Sequence, residues 1–202
     1  AKAFLTTQSA TRVYRTPEGF ALQGNYFTLG KGAVLEYFPD PVIPFAGSRY
    51  IGETEVHLTS GATAFLCEVV TPGRIKRGEV FQYESYHSKT RVYWDGKLIL
   101  WDNWRLAPGL REVRSLGRYD NFTHQANLFI FNESVSQVLS NDLHHLLAEV
   151  PEVLGGASLT VEKGIAVRIL GHRADKLERA VMSCWDLARR ELGGLPAPRI
   201  RK

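Results

Sequence analysis

Short apolar runs, each closed by glycine, proline or a polar pair, occupy residues 1–131. Ala3 to Tyr14 reads as a strand pair around a polar middle, Thr6-Thr7-Gln8-Ser9. Phe20 to Thr28 is a further strand after a turn containing Pro17 and Gly19. From Ile51 to Leu58 the pattern alternates, with Glu53, Glu55 and His57 facing one way and Thr54, Val56 and Leu58 the other. Phe81 to Tyr93 and Lys97 to Trp104 are strands around Asp95-Gly96, a dipeptide suited to a two-residue hairpin turn. Phe122 to Phe131 reads as the last strand of the sheet body. The period then lengthens. Val135, Val138, Leu139, Leu143, Leu146, Leu147 and Val150 mark one face of a helix that Pro151 ends. Ile165 to Leu170 is a strand. Leu177, Val181, Cys184 and Ala188 share one side of a second helix, stopped by Gly193-Gly194. The expected product is mainly β, a β-helical or stacked-sheet body of many short strands with about two C-terminal helices. A single domain is expected, with the β body at 1–131 and a helix–strand–helix closing region at 132–202. The helices should cover an open sheet end and its edge strand.

A weak internal repeat supports the stacking. Gly32-Ala33 and Gly61-Ala62 each open an apolar strand that runs into proline, and Ala1 to Leu5 fits the same frame. The offsets are 32 (Ala1 to Ala33) and 29 (Ala33 to Ala62). Periods of this size belong to stacked units, here made of strands and turns. In this frame residue 1 falls in mid-unit, so part of a natural N-terminus is expected to be missing.

The stretch Leu35 to Tyr50 leaves this pattern. Pro39, Pro41 and Pro44 cannot donate to a ladder and fix their own φ, which predicts a stiff, extended, non-laddered path. Asp40 is held between two of them, either on a functional segment or on a plain corner between strands.

Composition narrows the classes. A single domain of 202 residues buries about 70% of its unfolded-chain surface, so neither a disulfide nor a structural metal is required. Cys67 and Cys184 lie in separate apolar segments, which suits buried thiols in a reducing compartment, and hence a cytoplasmic protein. No run approaches the roughly 20 apolar residues of a membrane span, and the first residues lack the architecture of a secretory signal. The net charge of +4 comes from interleaved bases and acids, a solvated surface rather than a nucleic-acid groove. Arg199 to Lys202 forms a short basic tail that is expected to fray.

Familiar catalytic signatures are missing: GxxxxGK[ST], GxGxxG after a strand, HExxH, CxxC and GxSxG. The six histidines are scattered, and His144 and His145 would point about 100° apart on a helix. Nothing here suggests a tight metal cage. The acids carry more information. In the repeat frame Glu36 takes the position of Phe4 and Phe65, so it should be buried, paired or lining water, with Arg49 as a candidate partner. Glu68 interrupts the apolar run Phe65 to Val70 in the same way, and Arg74 and Glu79 flank a further turn. Internal salt bridges that pin strand register are one reading. A polar passage or docking surface lined with oxygen ligands is the other.

Several of these segments resemble one family. Leu5 to Arg15 is similar to the "LTTQSATKVY" segment of the urease accessory proteins called UreD, or UreH in some bacteria. Leu35 to Tyr50 resembles their "LEYxPDPxIPFxxSRY" segment, and Thr71 to Phe81 their "PGRxxxGExF" segment. Asp102 after Leu98 to Trp101, and Gly164 to Leu170, continue the likeness in order. A glycine-rich "GGxxxGD" segment within an N-terminal region of several dozen residues is a family feature that this sequence does not contain. The resemblance implies a β-helical body and a non-enzymatic scaffold for urease maturation. Such a scaffold binds UreF, through it the GTPase UreG, and the urease apoprotein, and no cofactor is bound tightly. It also implies nickel in transit along an internal polar channel, to which Glu36, Asp40, Glu68 and Glu79 would contribute and which Arg49 and Arg74 would order. Transient oxygen ligands suit an ion that must be handed on. The alternative is a β-solenoid enzyme acting on a carbohydrate, with Tyr83, Tyr86, Trp94, Trp101 and Trp104 as sugar platforms and two acids as its catalytic pair.

Overall fold

The structure is a computed structural model that describes residues 1–198. The basic tail, residues 199–202, lies outside the described residues. Strands β1 (Lys2–Leu5), β2 (Thr11–Val13), β3 (Ala21–Leu29), β4 (Val34–Tyr37), β5 (Val42–Pro44), β6 (Arg49–Leu58) and β7 (Thr63–Val70) precede a 3-10 turn at Ile75–Arg77. After it come β8 (Ser85–Trp94), β9 (Lys97–Leu106), β10 (His124–Phe131), α1 (Gln137–Glu149), β11 (Val153–Leu159), β12 (Gly164–Gly171) and α2 (Ala174–Gly193). The architecture is mainly β, with two helices and two mixed sheets. The larger sheet runs β1-β4-β7-β10-β12-β11, with β5 joined to β7 and β2 to β5; the smaller runs β3-β6-β8-β9.

The repeat is structural, and its cause is local. Lys2, Val34 and Thr63 lie in register across parallel β1, β4 and β7, at the offsets read from the sequence. Gly32 and Gly61 both sit at positive φ, where a side chain is strained. The same turn bond follows each, from Ala33 N–H to the Gly30 carbonyl and from Ala62 N–H to the Thr59 carbonyl. The smaller sheet keeps the frame in parallel β3, β6 and β8, where Ala21, Tyr50 and Tyr86 align. Asp95 and Gly96 both take positive φ, as the hairpin between β8 and β9 requires.

Three expectations need correction. The proline stretch does form a ladder: Pro41 lacks a donor but its carbonyl accepts from Thr11 N–H, and Phe45 N–H donates to Val13, so β5 pairs in parallel with β2. β10 is not the last strand of the sheet, because β12 and then β11 extend it. The helices cover a face of the larger sheet rather than an end. Leu139, Leu143 and Leu147 of α1 and Leu177, Val181, Cys184 and Trp185 of α2 pack with Phe65, Leu128, Ile165 and Val167 in one buried cluster.

β11 escaped the hydrophobic pattern because its centre is Gly155-Gly156. The structure explains them: a Cβ on Gly155 would stand 3.1 Å from Leu147 Cδ1, so the glycine lets α1 lie directly on the strand. Gly155→Val should lift α1 and lower stability by about 1–3 kcal/mol, measured by urea denaturation with loss of helical circular dichroism at a lower midpoint.

Candidate functional site

β7 is buried on both faces, and each face has a different neighbour. Phe65, Cys67 and Val69 join the cluster under the helices, while Ala64 and Leu66 face the smaller sheet. By the two-residue period Glu68 also points between the sheets. Its register partners continue the theme, since Glu68, Asn127 and Arg168 lie in line across β7, β10 and β12. Opposite them Asn25, Thr54, Thr90 and Asp102 lie in line across all four strands of the smaller sheet. These two polar rows separate two apolar clusters. One holds Leu58, Val92, Phe129 and Phe131, and the other Val42, Val70, Tyr86 and Leu106.

Hydrogen bonds knit the rows into a seam. Tyr86 Oη donates to Glu68 Oε1 at 2.7 Å, and Asn127 Nδ2 to Glu68 Oε2 at 3.4 Å. Arg168 donates to Asn127 Oδ1 at 3.1 Å and to Asp102 Oδ1 at 2.5 Å, half exposed at the outer end of the seam. Asn25 donates to Thr54 at 3.3 Å, and Tyr50 Oη to Gln23 Oε1 at 3.1 Å. Burial raises the Glu68 carboxyl above its ordinary range, against the lowering pull of its hydrogen bonds from Tyr86, Ser88 and Asn127. Burial, and then the Glu68 charge, raises Tyr37, Tyr50 and Tyr86 as well. Beside Glu68 is a cavity of about 50 Å³, enough for ordered water, lined by Gln23, Asn25, Asp40, Ser88 and Thr90.

The six residues named from the sequence fall in four places. Glu68 and Asp40 line that cavity together. Asp40 and Cys67 also line a second cavity of about 240 Å³ between the proline corner and α2, so they stand at the junction of the two. Glu36 is buried on the opposite face of the larger sheet, in register with Phe4 and Phe65 as the repeat predicted. Its partner is not Arg49. Arg189 Nε donates to it at 2.7 Å and Trp185 Nε1 at 2.9 Å, from a helix 149 residues or more along the chain. Arg49 makes no ion pair among the described residues, and its backbone N–H donates to Thr16 at 3.2 Å. Arg74 and Glu79 form a two-bond ion pair with each other, Nε to Oε2 at 2.8 Å. Glu79 also accepts from Ala46 N–H at 3.1 Å, and Arg74 lies over Phe45 at 4.0 Å, so the pair ties two corners together. The Arg74 hydrogen bond holds Glu79 below the usual carboxylate range.

Asn127 and Arg168 were missed, although each breaks an apolar run as Glu68 does: Ala126 to Phe131, and Ile165 to Leu170. The sugar-platform alternative fails on burial. Tyr83, Tyr86 and Trp94 are core residues and Trp104 is half-buried, leaving only Trp101, 64% exposed, of the five rings. Among the described residues no three His, Cys, Asp or Glu side chains are placed to hold a metal ion, and no helix is long and apolar enough to cross a membrane.

With this geometry in place, comparison with known proteins decides the family. The profile described as "UreD urease accessory protein" matches residues 1–202. This chain belongs to the UreD family. Among similar curated relatives is the urease accessory protein UreD of Acetivibrio thermocellus, 38% identical, covering 88% of this chain and 68% of the relative. That of Bacillus cereus is 32% identical over 94% of this chain and 69% of its own length. That of Haloarcula marismortui is 36% identical over 100% and 68%. Membership supports an accessory role in urease maturation, within which UreD proteins work with other maturation proteins.

The raised Glu68 carboxyl has a defined stability signature. Because its folded-state value lies above the unfolded one, its contribution is intact at low pH and is lost as pH rises through the interval above 4.5. Glu68→Gln removes that titration. The variant's stability relative to the parent should therefore increase as pH rises above 4.5, as read by denaturant unfolding across a pH series; a flat difference contradicts the burial argument.

Proposed function

We propose that this chain is the scaffold on which urease is matured in the cytoplasm, and that nickel in transit to the urease active site passes along the intersheet seam. On this reading it binds UreF, through UreF the GTPase UreG, and the urease apoprotein. It catalyses no reaction itself. We read the parallel stacking of β1-β4-β7 and β3-β6-β8 as a β-helical coil, whose frame places polar rows opposite each other. The observation that carries the reading is that seam: Glu68, Asn127 and Arg168 facing Asn25, Thr54, Thr90 and Asp102 between two apolar clusters.

The chemistry suits cargo rather than a resident cofactor. Carboxylate, amide and hydroxyl oxygens are hard, exchangeable ligands for a hydrated divalent ion, whereas thiolate and imidazole cages retain it. Burial shifts the Glu68 carboxyl towards its neutral form, and a cation that arrives there favours release of the proton, because metal binding requires the deprotonated ligand. Glu68 would then release its proton to solvent as the ion binds and offset one of the ion's two charges. Asp40 joins this seam to the outer cavity, and Arg168 neutralises Asp102 at the far end. Glu36 and Glu79, whose charges are already spent on Arg189 and Arg74, act here as braces; Arg49 has no role on the path.

Glu68→Gln and Asp40→Asn should each reduce activation of co-expressed urease several-fold while the chain still co-purifies with UreF, UreG and apoprotein. Glu36→Ala leaves Arg189 without its buried partner and should act through stability, at a cost of about 3 kcal/mol. Undiminished nickel loading in both seam variants, with assembly intact, removes the path.

A further inference from the structure

A second feature lies outside the seam. Where β5 ends and α2 begins, the helix-bearing face of the larger sheet is left open as a cleft of about 850 Å³. Ile43 and Arg12 floor it: Val42 and Val70 face the smaller sheet, so the alternate positions in β5 and β2 face the other way. The cleft carries five cations. Arg74 is spent on Glu79 and Arg173 on Asp175, at 2.9 Å. Arg12, Lys76 and Arg77 are exposed and form no ion pair among the described residues. Two apolar groups stand exposed beside them, Tyr14, packed edge-on to Phe45, and Ile75.

We infer that this cleft docks an extended acidic segment of a partner protein, acidic side chains meeting Arg12, Lys76 and Arg77 and an apolar one lying against Tyr14 and Ile75. The charges come from two separate elements, β2 and the 3-10 turn, so they suit a chain laid across the cleft. The space is far larger than a phosphate ion needs, and such an ion would leave the tyrosine and isoleucine unused. A nucleic acid would demand a longer basic track. The outer face of the smaller sheet instead carries matched pairs, Lys89 with Glu53 at 2.9 Å and Arg91 with Glu55 at 3.0 Å. The 3-10 turn that presents Lys76 and Arg77 is fixed by the Arg74–Glu79 pair and by Gly78 at positive φ, so the cations are displayed without ordering a loop on binding.

The surface is independent of the nickel path, so its failure leaves the maturation reading untouched. Its test is fluorescence anisotropy with a short labelled peptide alternating glutamate and leucine, on the full chain. Binding is expected, weakened by rising salt, and reduced at least about tenfold in Lys76→Glu/Arg77→Glu, matching the loss of two charge contacts. Both positions are exposed, so an unchanged thermal midpoint confirms folding. Lys31→Glu, a charge reversal elsewhere on the surface, should bind as the parent does. Three results overturn the inference: no binding by the parent chain, equal loss in the Lys31 variant, or displacement by inorganic phosphate or a single-stranded oligonucleotide at the peptide's own concentration.

Discussion

A strand covered on both faces leaves little room for a charge, and β7 carries the half-buried Glu68 there, against a small cavity. Much of the molecule is arranged around that constraint. β7 pairs in parallel with β4 on one edge and antiparallel with β10 on the other, packs Phe65, Cys67 and Val69 under the helices, and faces the smaller sheet with the rest. An isolated carboxylate in such a place would cost several kcal/mol. It is tolerated because Tyr86 and Asn127 reach it and because burial favours its neutral form.

The same constraint links fold to function. A core that had only to be stable would place an apolar residue at position 68, since satisfied buried polar groups seldom outperform good packing. Instead, seven polar side chains align across seven strands and divide the interior between the sheets in two. Such alignment depends on register: a slip of one residue in any strand would turn its polar member to the opposite face. The glycine turns at Gly32 and Gly61 and the ladders that follow them keep that register. Stacking frame and polar seam are thus one device.

Features with local causes were legible in the sequence. The repeat offsets appear because only glycine sits comfortably at those positive φ angles, Asp95-Gly96 announces its hairpin for the same reason, and both helix faces follow from their 3.6-residue period, apart from Val138, which is exposed. Features with distant causes were not. Glu36 was expected to be buried, paired or lining water, with Arg49 as a candidate partner. It is buried and paired, but with Arg189, which lies 153 residues away, beyond any pattern argument. β11 left no hydrophobic pattern to read, because close packing by α1 required glycine in the strand. The seam is invisible as a whole, since its rows exist only once non-consecutive strands are paired, although Asn127 and Arg168 each left the mark of a polar residue in an apolar run. Asp40 could be picked out between its prolines, but only the cavities on either side of it connect it to Glu68.

The central claim is that the space between the sheets beside Glu68 is a place a divalent ion can occupy. Anomalous diffraction at the nickel absorption edge, on crystals of the chain soaked with nickel, tests it most directly. The predicted result is a peak between the sheets, within coordination reach of Glu68 or Asp40, that vanishes in Glu68→Gln crystals. Nickel found only at surface histidines, with nothing between the sheets, would contradict it.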